Sequence, residues 1–342
     1  MSQFTDITYE ESLELENRVY LDVRAPVEFN NDHIPGSVNI PLFSDDERSE
    51  VGTLYRLSGR DNAVIRGSSI VGEKLDKIIA AISAHKNRNI VFVCARGGMR
   101  SRSIAALAGS LGFNAYRLGQ GYREYRRYIH ECMETFTFAP PLFVLQGLTG
   151  VGKTAIIESM PRGIDLEGMA GHRSSIFGGL GMVQNSQKRF ESLLFMRQQE
   201  LASADRAVIE GESRKVGNLH IPPSLYRQMK SSPAILITAP MQRRIEIILD
   251  SYTGNSDMER VPGIVSTLSA RLGRKTIDEL TALFNRGDLA LFVEILLTKY
   301  YDPLYRHSIG SIDFIAEITN TDTVESVSAV NDIISSSITG KI

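Results

Sequence analysis

A chain of 342 residues, 42% hydrophobic and 23% charged, has length for two folded domains with separate cores. A formal net charge of -2 excludes a polycationic nucleic-acid binder, so any RNA site must be a local patch. Two cysteines, Cys94 and Cys132, exclude a disulfide framework or a zinc knuckle; with no leader-like start and no membrane-length apolar run, a cytoplasmic protein without a membrane partner is expected.

In chain order, Val19–Val23 predicts a short buried strand, and Asn30 to Pro41 is rich in turn formers. Leu75 to Ala84 has helical spacing, with Leu75, Ile78, Ile79 and Ile82 on one face. Asn89–Val93 is a continuous β-branched and aromatic run, as in a strand covered on both faces, and it leads directly into Cys94. Ser103–Leu111 predicts a helix, Phe113–Leu118 a strand and Tyr122–Met133 another helix. This alternation predicts a parallel α/β sheet over residues 8–135, with Pro140-Pro141 near the boundary. A second domain, 139–342, opens with the strand Leu142–Gln146 and continues with the helix Ala155–Met160 and strands Ala207–Glu210 and Ala234–Thr238. Helices are expected at Ile264–Leu272, Ile277–Asn285 and Leu289–Lys299, inside a helical part of about 257–305, and a last strand at Ser311–Ile318. The Ser-, Thr- and Asn-rich tail predicts no element.

The loop Cys94-Ala-Arg-Gly-Gly-Met-Arg-Ser101 lies between a buried strand and a helix. Loop N–H groups and the helix N-terminus favour an anion there, and Arg96 and Arg100 add full positive charges. A cysteine so placed favours its thiolate and is a candidate nucleophile, in a cradle that also suits an oxyanion. Upstream, Asp22-Val-Arg-Ala-Pro-Val-Glu28-Phe29 and His33-Ile-Pro-Gly-Ser-Val-Asn-Ile-Pro41, with Gly119-Gln-Gly-Tyr122 downstream, resemble rhodanese domains over about residues 10 to 130. The resemblance implies that Cys94 carries sulfur or selenium as a persulfide or perselenide, and that His33 is structural. The Cys-x5-Arg spacing is one residue longer than in the usual rhodanese loop and also resembles phosphatase relatives of the fold, so a phosphatase stands as an alternative. A donor carrying a phosphate group suits the wider loop equally well.

The segment Gly147-Leu-Thr-Gly150-Val-Gly152-Lys153-Thr154 is a phosphate-binding loop. Its glycines permit the turn and close approach of the backbone, Lys153 reaches outer phosphates and Thr154 can bind Mg2+. The acid expected after a following strand is supplied by Glu210 or Glu212, and no guanine-specificity motif is present. Asp165, Glu167, His172 and Arg173 lie in a glycine-rich segment to about Gly181, read as a substrate loop unable to form a stable core element. Arg214 and Arg244 are further substrate-binding candidates; Arg243 and Arg244 either close on a phosphate chain or decorate a helix. No metal ligand set is certain. From Arg96 to His130 there are seven arginines and one acid, with Tyr122, Tyr125 and Tyr128 interleaved. Either these engage RNA phosphates and unpaired bases, or the tyrosines pack inward beneath a solvated basic face.

Taken with Asp165-Leu-Glu-Gly-Met-Ala-Gly-His-Arg173, Glu210-Gly-Glu-Ser-Arg214 and Tyr300-Tyr-Asp-Pro-Leu-Tyr305, nearly the full chain resembles the bacterial tRNA 2-selenouridine synthase family. Ser174 and Gly211 depart from its usual pattern. The resemblance implies a rhodanese-like parallel-sheet domain followed by a P-loop NTPase-like α/β domain with a helical C-terminal part. It implies a transferase acting on the wobble 2-thiouridine in the anticodon loops of tRNAs for Lys, Glu and Gln. Geranyl diphosphate would S-geranylate that base, and selenophosphate would then supply selenium through Cys94. No tightly bound cofactor is implied, Mg2+ is a candidate, and no oligomer is required. A P-loop kinase with a rhodanese regulatory domain, and a nucleotide-gated sulfur or selenium carrier, remain as alternatives.

Overall fold

The computed structural model describes residues 4–252 and 256–338. They form two compact units, one reaching to Met133 and joined by Glu191–Met196, the other comprising Glu134–Phe190 and the chain from Arg197 onward.

The first unit is built on strands β1 (Thr5–Ile7), β2 (Arg18–Asp22), β3 (Val38–Asn39), β4 (Asn89–Val93) and β5 (Ala115–Leu118). Their order is β1-β5-β4-β2-β3 and every pairing is parallel. Ile90 to Val93 are wholly inaccessible, as expected of a central strand covered on both faces. Ile90 and Phe92 pack with Val19 and Leu21 of β2 and with Ile104, Ala105 and Ala108 of the helix Met99–Ser110. Cys94 therefore leaves the carboxyl edge of the central strand, where open parallel sheets place their ligands. Several elements lie outside the sequence-based expectation, among them β1, β3 and two helices. Pro26–Asn31 is helical within the turn-rich stretch, and Asp45–Gly72 is a long helix bent at Gly59, whose φ of 84° is a left-handed conformation that glycine adopts without strain.

The second unit carries β6 (Leu142–Gln146), β7 (Gly163–Ile164), β8 (Ala207–Glu210), the antiparallel ribbon β9 (Lys215–Val216) and β10 (Leu219–His220), β11 (Ala234–Thr238) and β12 (Phe314–Thr319). The main sheet has the order β12-β11-β6-β8-β7 and is parallel throughout. β6 again lies at the centre and delivers the phosphate loop from its carboxyl end. The helices Val261–Ser266, Arg274–Arg286 and Leu289–Leu296, followed by a π-helical turn at Leu297–Tyr301, share one apolar core. Phe177 and Leu180 belong to that core, and Leu166 and Ala170 are buried on a short helix, Leu166–Ala170. The expectation that the glycine-rich segment could form no core element is thus corrected: its few apolar side chains are inserted among the C-terminal helices. The tail also forms a helix, Thr323–Ile338, burying Ser326, Val330 and Ile334 at four-residue spacing. Among the described residues no helix is long and apolar enough to cross a membrane.

Candidate active site

Cys94 is 2% exposed, and its Sγ lies 3.0 Å from the Oγ of Ser101, itself fully buried in the first turn of Met99–Ser110. The hydroxyl can donate to the sulfur and stabilise it as an anion. The loop is braced from behind. The N–H groups of Tyr122 and Arg123 donate to the carbonyls of Cys94 (2.8 Å) and Ala95 (3.1 Å). Arg117 donates to Gly97 O at 2.5 Å while a bidentate pair with Asp6, both contacts 2.6 Å, holds its guanidinium. Gly121 has φ of 64°, and a Cβ there would stand 2.1 Å from the Cys94 carbonyl, so this position under the loop needs glycine.

The two arginines of the loop differ. Arg96 is exposed, with no carboxylate in ion-pair contact among the described residues. Arg100 is paired with Glu28, Nη1 to Oε2 at 2.8 Å. Burial works to raise the Glu28 pKa, but the hydrogen bond and charge of Arg100, the Ala25 N–H and Arg48 outweigh it and hold the carboxyl below its ordinary range. Arg100 is thus oriented by Glu28 and shares its charge; Arg96 keeps its own. The remaining rhodanese-like residues are scaffold. Asp22 holds Arg24, which donates to Asp32 O at 2.8 Å and stacks 3.9 Å above Tyr122. His33 stacks on Phe29 with ring centroids 3.9 Å apart.

In the second unit the loop after β6 has positive φ at Gly147, Gly150 and Gly152, and Lys153 opens the helix Lys153–Glu158. Lys153 Nζ donates to the carbonyls of Gly147 (2.8 Å) and Leu148 (3.3 Å), which places its ammonium across the loop. Thr154 Oγ1 lies 3.2 Å from Glu167 and 3.3 Å from Glu210. Carboxylate oxygens of Glu167, Glu210 and Glu212 stand within 4.8 Å of one another. Burial and then the charges of Glu167, Asp165 and Glu212 push the Glu210 carboxyl well above its ordinary range. Burial and Glu167 push Glu212 up to about 7. Lys153 is one ammonium against this crowding of hard oxygen donors beside the phosphate loop, and the set fits Mg2+.

The other expected site residues divide. Glu167, Glu210 and Glu212 meet at Thr154, as just described. Asp165 caps the helix Leu166–Ala170 by accepting from Gly168 N–H at 2.7 Å. The His172 ring lies against Gly178 and Gly217, and its Nδ1 is buried without a hydrogen-bond partner among the described residues. Arg173 braces the loop through the carbonyls of Leu180 (3.3 Å) and Ser251 (3.2 Å). Arg214 is exposed, its guanidinium 5.5 Å from the Tyr226 ring centroid. Arg244, a substrate-binding candidate, is placed under the phosphate loop. It is buried, bound to Asp302 at 3.0 and 2.6 Å, and donates to Thr149 O at 2.9 Å, so it fixes the phosphate loop. Arg243 pairs with Glu246 on its own helix. The basic stripe resolves toward packing: Tyr125 is fully buried, Tyr122 donates to Asp32 at 2.5 Å, and Arg126 is tied to Glu191 and Asp32.

Ser101, Glu28 and Asn320 escape the sequence reading. Asn320 Nδ2 donates to Val151 O at 2.8 Å, holding the phosphate loop from β12. Ser101 alone had a local signal, its place directly after Arg100. An almost wholly apolar cavity begins at Thr149 of the phosphate loop and runs between Ser175, Phe177, Tyr252, Phe292 and Tyr301.

Residues 140–332 match the tRNA 2-selenouridine synthase AAA domain, and residues 8–128 match the rhodanese-like domain. Curated relatives extend the likeness over most of the chain. A tRNA 2-selenouridine synthase of Alcanivorax borkumensis is 34% identical over 331 residues, covering 87% of this chain and 91% of its own. Its counterpart in Pseudomonas syringae pv. tomato is 32% identical over 330 residues, covering 86% and 90%. That of Shewanella loihica is 31% identical over 324 residues, covering 85% and 87%.

Proposed function

The chain belongs to the tRNA 2-selenouridine synthase family, and from that premise we propose how its two loops divide the conversion of a wobble 2-thiouridine to 2-selenouridine. The second unit performs the first step. The thiocarbonyl sulfur attacks C1 of geranyl diphosphate, the C–O bond breaks, and diphosphate leaves with the bonding electrons. Lys153 and the loop amides stabilise that leaving group more than they stabilise the intact donor, which lowers the barrier. Mg2+ held by Thr154, Glu167, Glu210 and Glu212 would neutralise diphosphate charge.

The first unit performs the second step. Arg96, Arg100 and the loop N–H groups bind selenophosphate; water takes its phosphoryl group as phosphate, and a small-molecule disulfide accepts two electrons and leaves as two thiols as the released selenide joins Cys94 as a perselenide. The selenium attacks C2 of the geranylated base and geranylthiolate leaves; one external thiol then cleaves the Se–S bond to Cys94 and a second frees Cys94, the two leaving as a disulfide. The substrates are expected to be the cytoplasmic tRNAs for Lys, Glu and Gln.

The observation that carries the geranyl reading over a nucleotide reading is the apolar lining of a cavity of about 80 Å3 that Thr149 of the phosphate loop shares with Phe177, Tyr252 and Phe292. A prenyl diphosphate has an apolar tail joined directly to its diphosphate; ATP brings a polar ribose to the same place. The test is to incubate the protein with 2-thiouridine tRNA, geranyl diphosphate and selenophosphate, then digest and weigh the nucleosides. Geranylated and selenated uridine are expected, and the absence of both refutes the assignment.

A further inference from the structure

The tyrosines of the helix Tyr122–Glu134 pack inward, so that helix offers no stacking platform, yet a wobble base must reach Cys94. Another basic surface with aromatic character lies among the described residues of the first unit. A groove of about 1350 Å3 lies over the sulfur loop, with Cys94, Arg96, Met99 and Arg100 on one side. It exceeds the roughly 300–1,000 Å3 of ordinary small-molecule pockets, far more than a phosphate-sized donor needs.

The opposite wall is one face of the bent helix Asp45–Gly72. Arg48, Gly52 and Arg56 recur every fourth residue on it before the bend at Gly59, with Tyr55 beside them, and Arg60 lines the groove just past the bend. Past the bend the wall continues with small and apolar residues, among them Ala63, Val64, Gly67 and Val71. Tyr55 is 59% exposed and Met99 44%. Arg48 and Arg100 share the single carboxylate of Glu28. Among the described residues, Arg56, Arg60 and Arg96 make no ion pair: Arg56 contacts Thr53 Oγ1 at 3.4 Å and Arg60 the Met99 sulfur at 3.9 Å. Arg56 and Arg60 beside the exposed Tyr55, with Arg96 and a nucleophilic cysteine across the groove, match the chemistry of single-stranded RNA, whose phosphates need cations and whose unstacked bases need an aromatic face.

We propose that this groove receives the anticodon-loop strand, with backbone phosphates on Arg56, Arg60 and Arg96 and a base stacked on Tyr55, so that the modified nucleotide descends toward Cys94. The inference rests on the tRNA-modifying reading above and names the surface that reading leaves unassigned. An acidic donor protein is the competing occupant, but it would not call for the aromatic face.

The test measures binding of a tRNA anticodon stem-loop to the full chain by fluorescence anisotropy across a salt series. The Arg56→Gln/Arg60→Gln variant is expected to bind about tenfold or more weakly, with a log–log salt slope shallower by roughly 1.4, two single-strand phosphate contacts at ~0.7 each. Tyr55→Ala should weaken binding about tenfold and leave the slope unchanged, as loss of a stacked base does. Arg56→Lys/Arg60→Lys should keep the salt slope, which separates a charge role from a packing role. Wild-type affinity and slope in the Gln variant overturn the proposal, as does loss of selenium acquisition from a protein donor with RNA binding intact. Failure of the wild-type chain to bind tRNA at all would instead overturn the function proposed above.

Discussion

The sulfur loop and the phosphate loop share a backbone plan and oppose each other in charge. Each leaves the carboxyl end of a central parallel strand and enters a helix, Met99–Ser110 in one unit and Lys153–Glu158 in the other. Around Cys94 the side chains are cationic and hydroxylic: Arg96, Arg100 and Ser101. Around Thr154 they are carboxylates: Glu167, Glu210 and Glu212. The first arrangement binds an anion unaided. The second sets the single ammonium of Lys153 against three carboxyl groups, so the phosphate loop should depend more on a divalent ion. The shared strand–loop–helix plan thus sets where ligands bind, and the side chains around each loop decide which chemistry follows.

Breaking each half separately should expose the division. Cys94→Ser is expected to abolish 2-selenouridine while geranylated tRNA accumulates, read by nucleoside mass analysis; continued selenation would remove Cys94 from the pathway. Lys153→Ala should slow geranylation by about a hundredfold or more and leave selenation of pre-geranylated tRNA intact, which single-turnover assays with each substrate would resolve.

A smaller effect sharpens the charge contrast. Glu210 is buried among like charges, so Glu210→Gln should raise the metal-free Tm by about 2–4 °C, and Mg2+ should then stabilise the variant less than wild type. A fall in the metal-free Tm would mean the cluster is held by hydrogen bonds stronger than its repulsion. Ser101→Ala, which removes only the hydroxyl at Cys94, should slow selenium loading by about tenfold, an effect of roughly 1.4 kcal/mol. Wild-type loading would make Ser101 a packing residue.

What was legible in the sequence follows how local each signal is. The strand Asn89–Val93, Cys94 and the following arginines are contiguous, as are Leu142–Gln146 and the phosphate loop, so both reactive loops could be read directly. The carboxylate set was partly legible, because Glu210 and Glu212 end a predicted strand. Pairings between distant residues were not. Arg100 finds Glu28 72 residues away, Arg244 finds Asp302 58 away and Asn320 finds Val151 169 away. Arg244 looked free because nothing near it in sequence carries its counter-ion. The helix Asp45–Gly72 was hidden by its composition: Gly52, Gly59 and Gly67 weaken the helical signal, and its buried face is reduced to Ala63, Gly67 and Ile70. The glycine-rich segment misled in the other direction, since Phe177 and Leu180 are anchored by helices more than 80 residues downstream as well as by nearer ones.

The central claim is that the phosphate loop holds a prenyl diphosphate and not a nucleotide. Titration calorimetry of the full chain with geranyl diphosphate and Mg2+, repeated in the presence of excess ATP and with Lys153→Ala, tests it most directly. The account predicts saturable binding that needs Mg2+, weakens strongly in Lys153→Ala and is not displaced by ATP. Tight ATP binding that excludes geranyl diphosphate would contradict it.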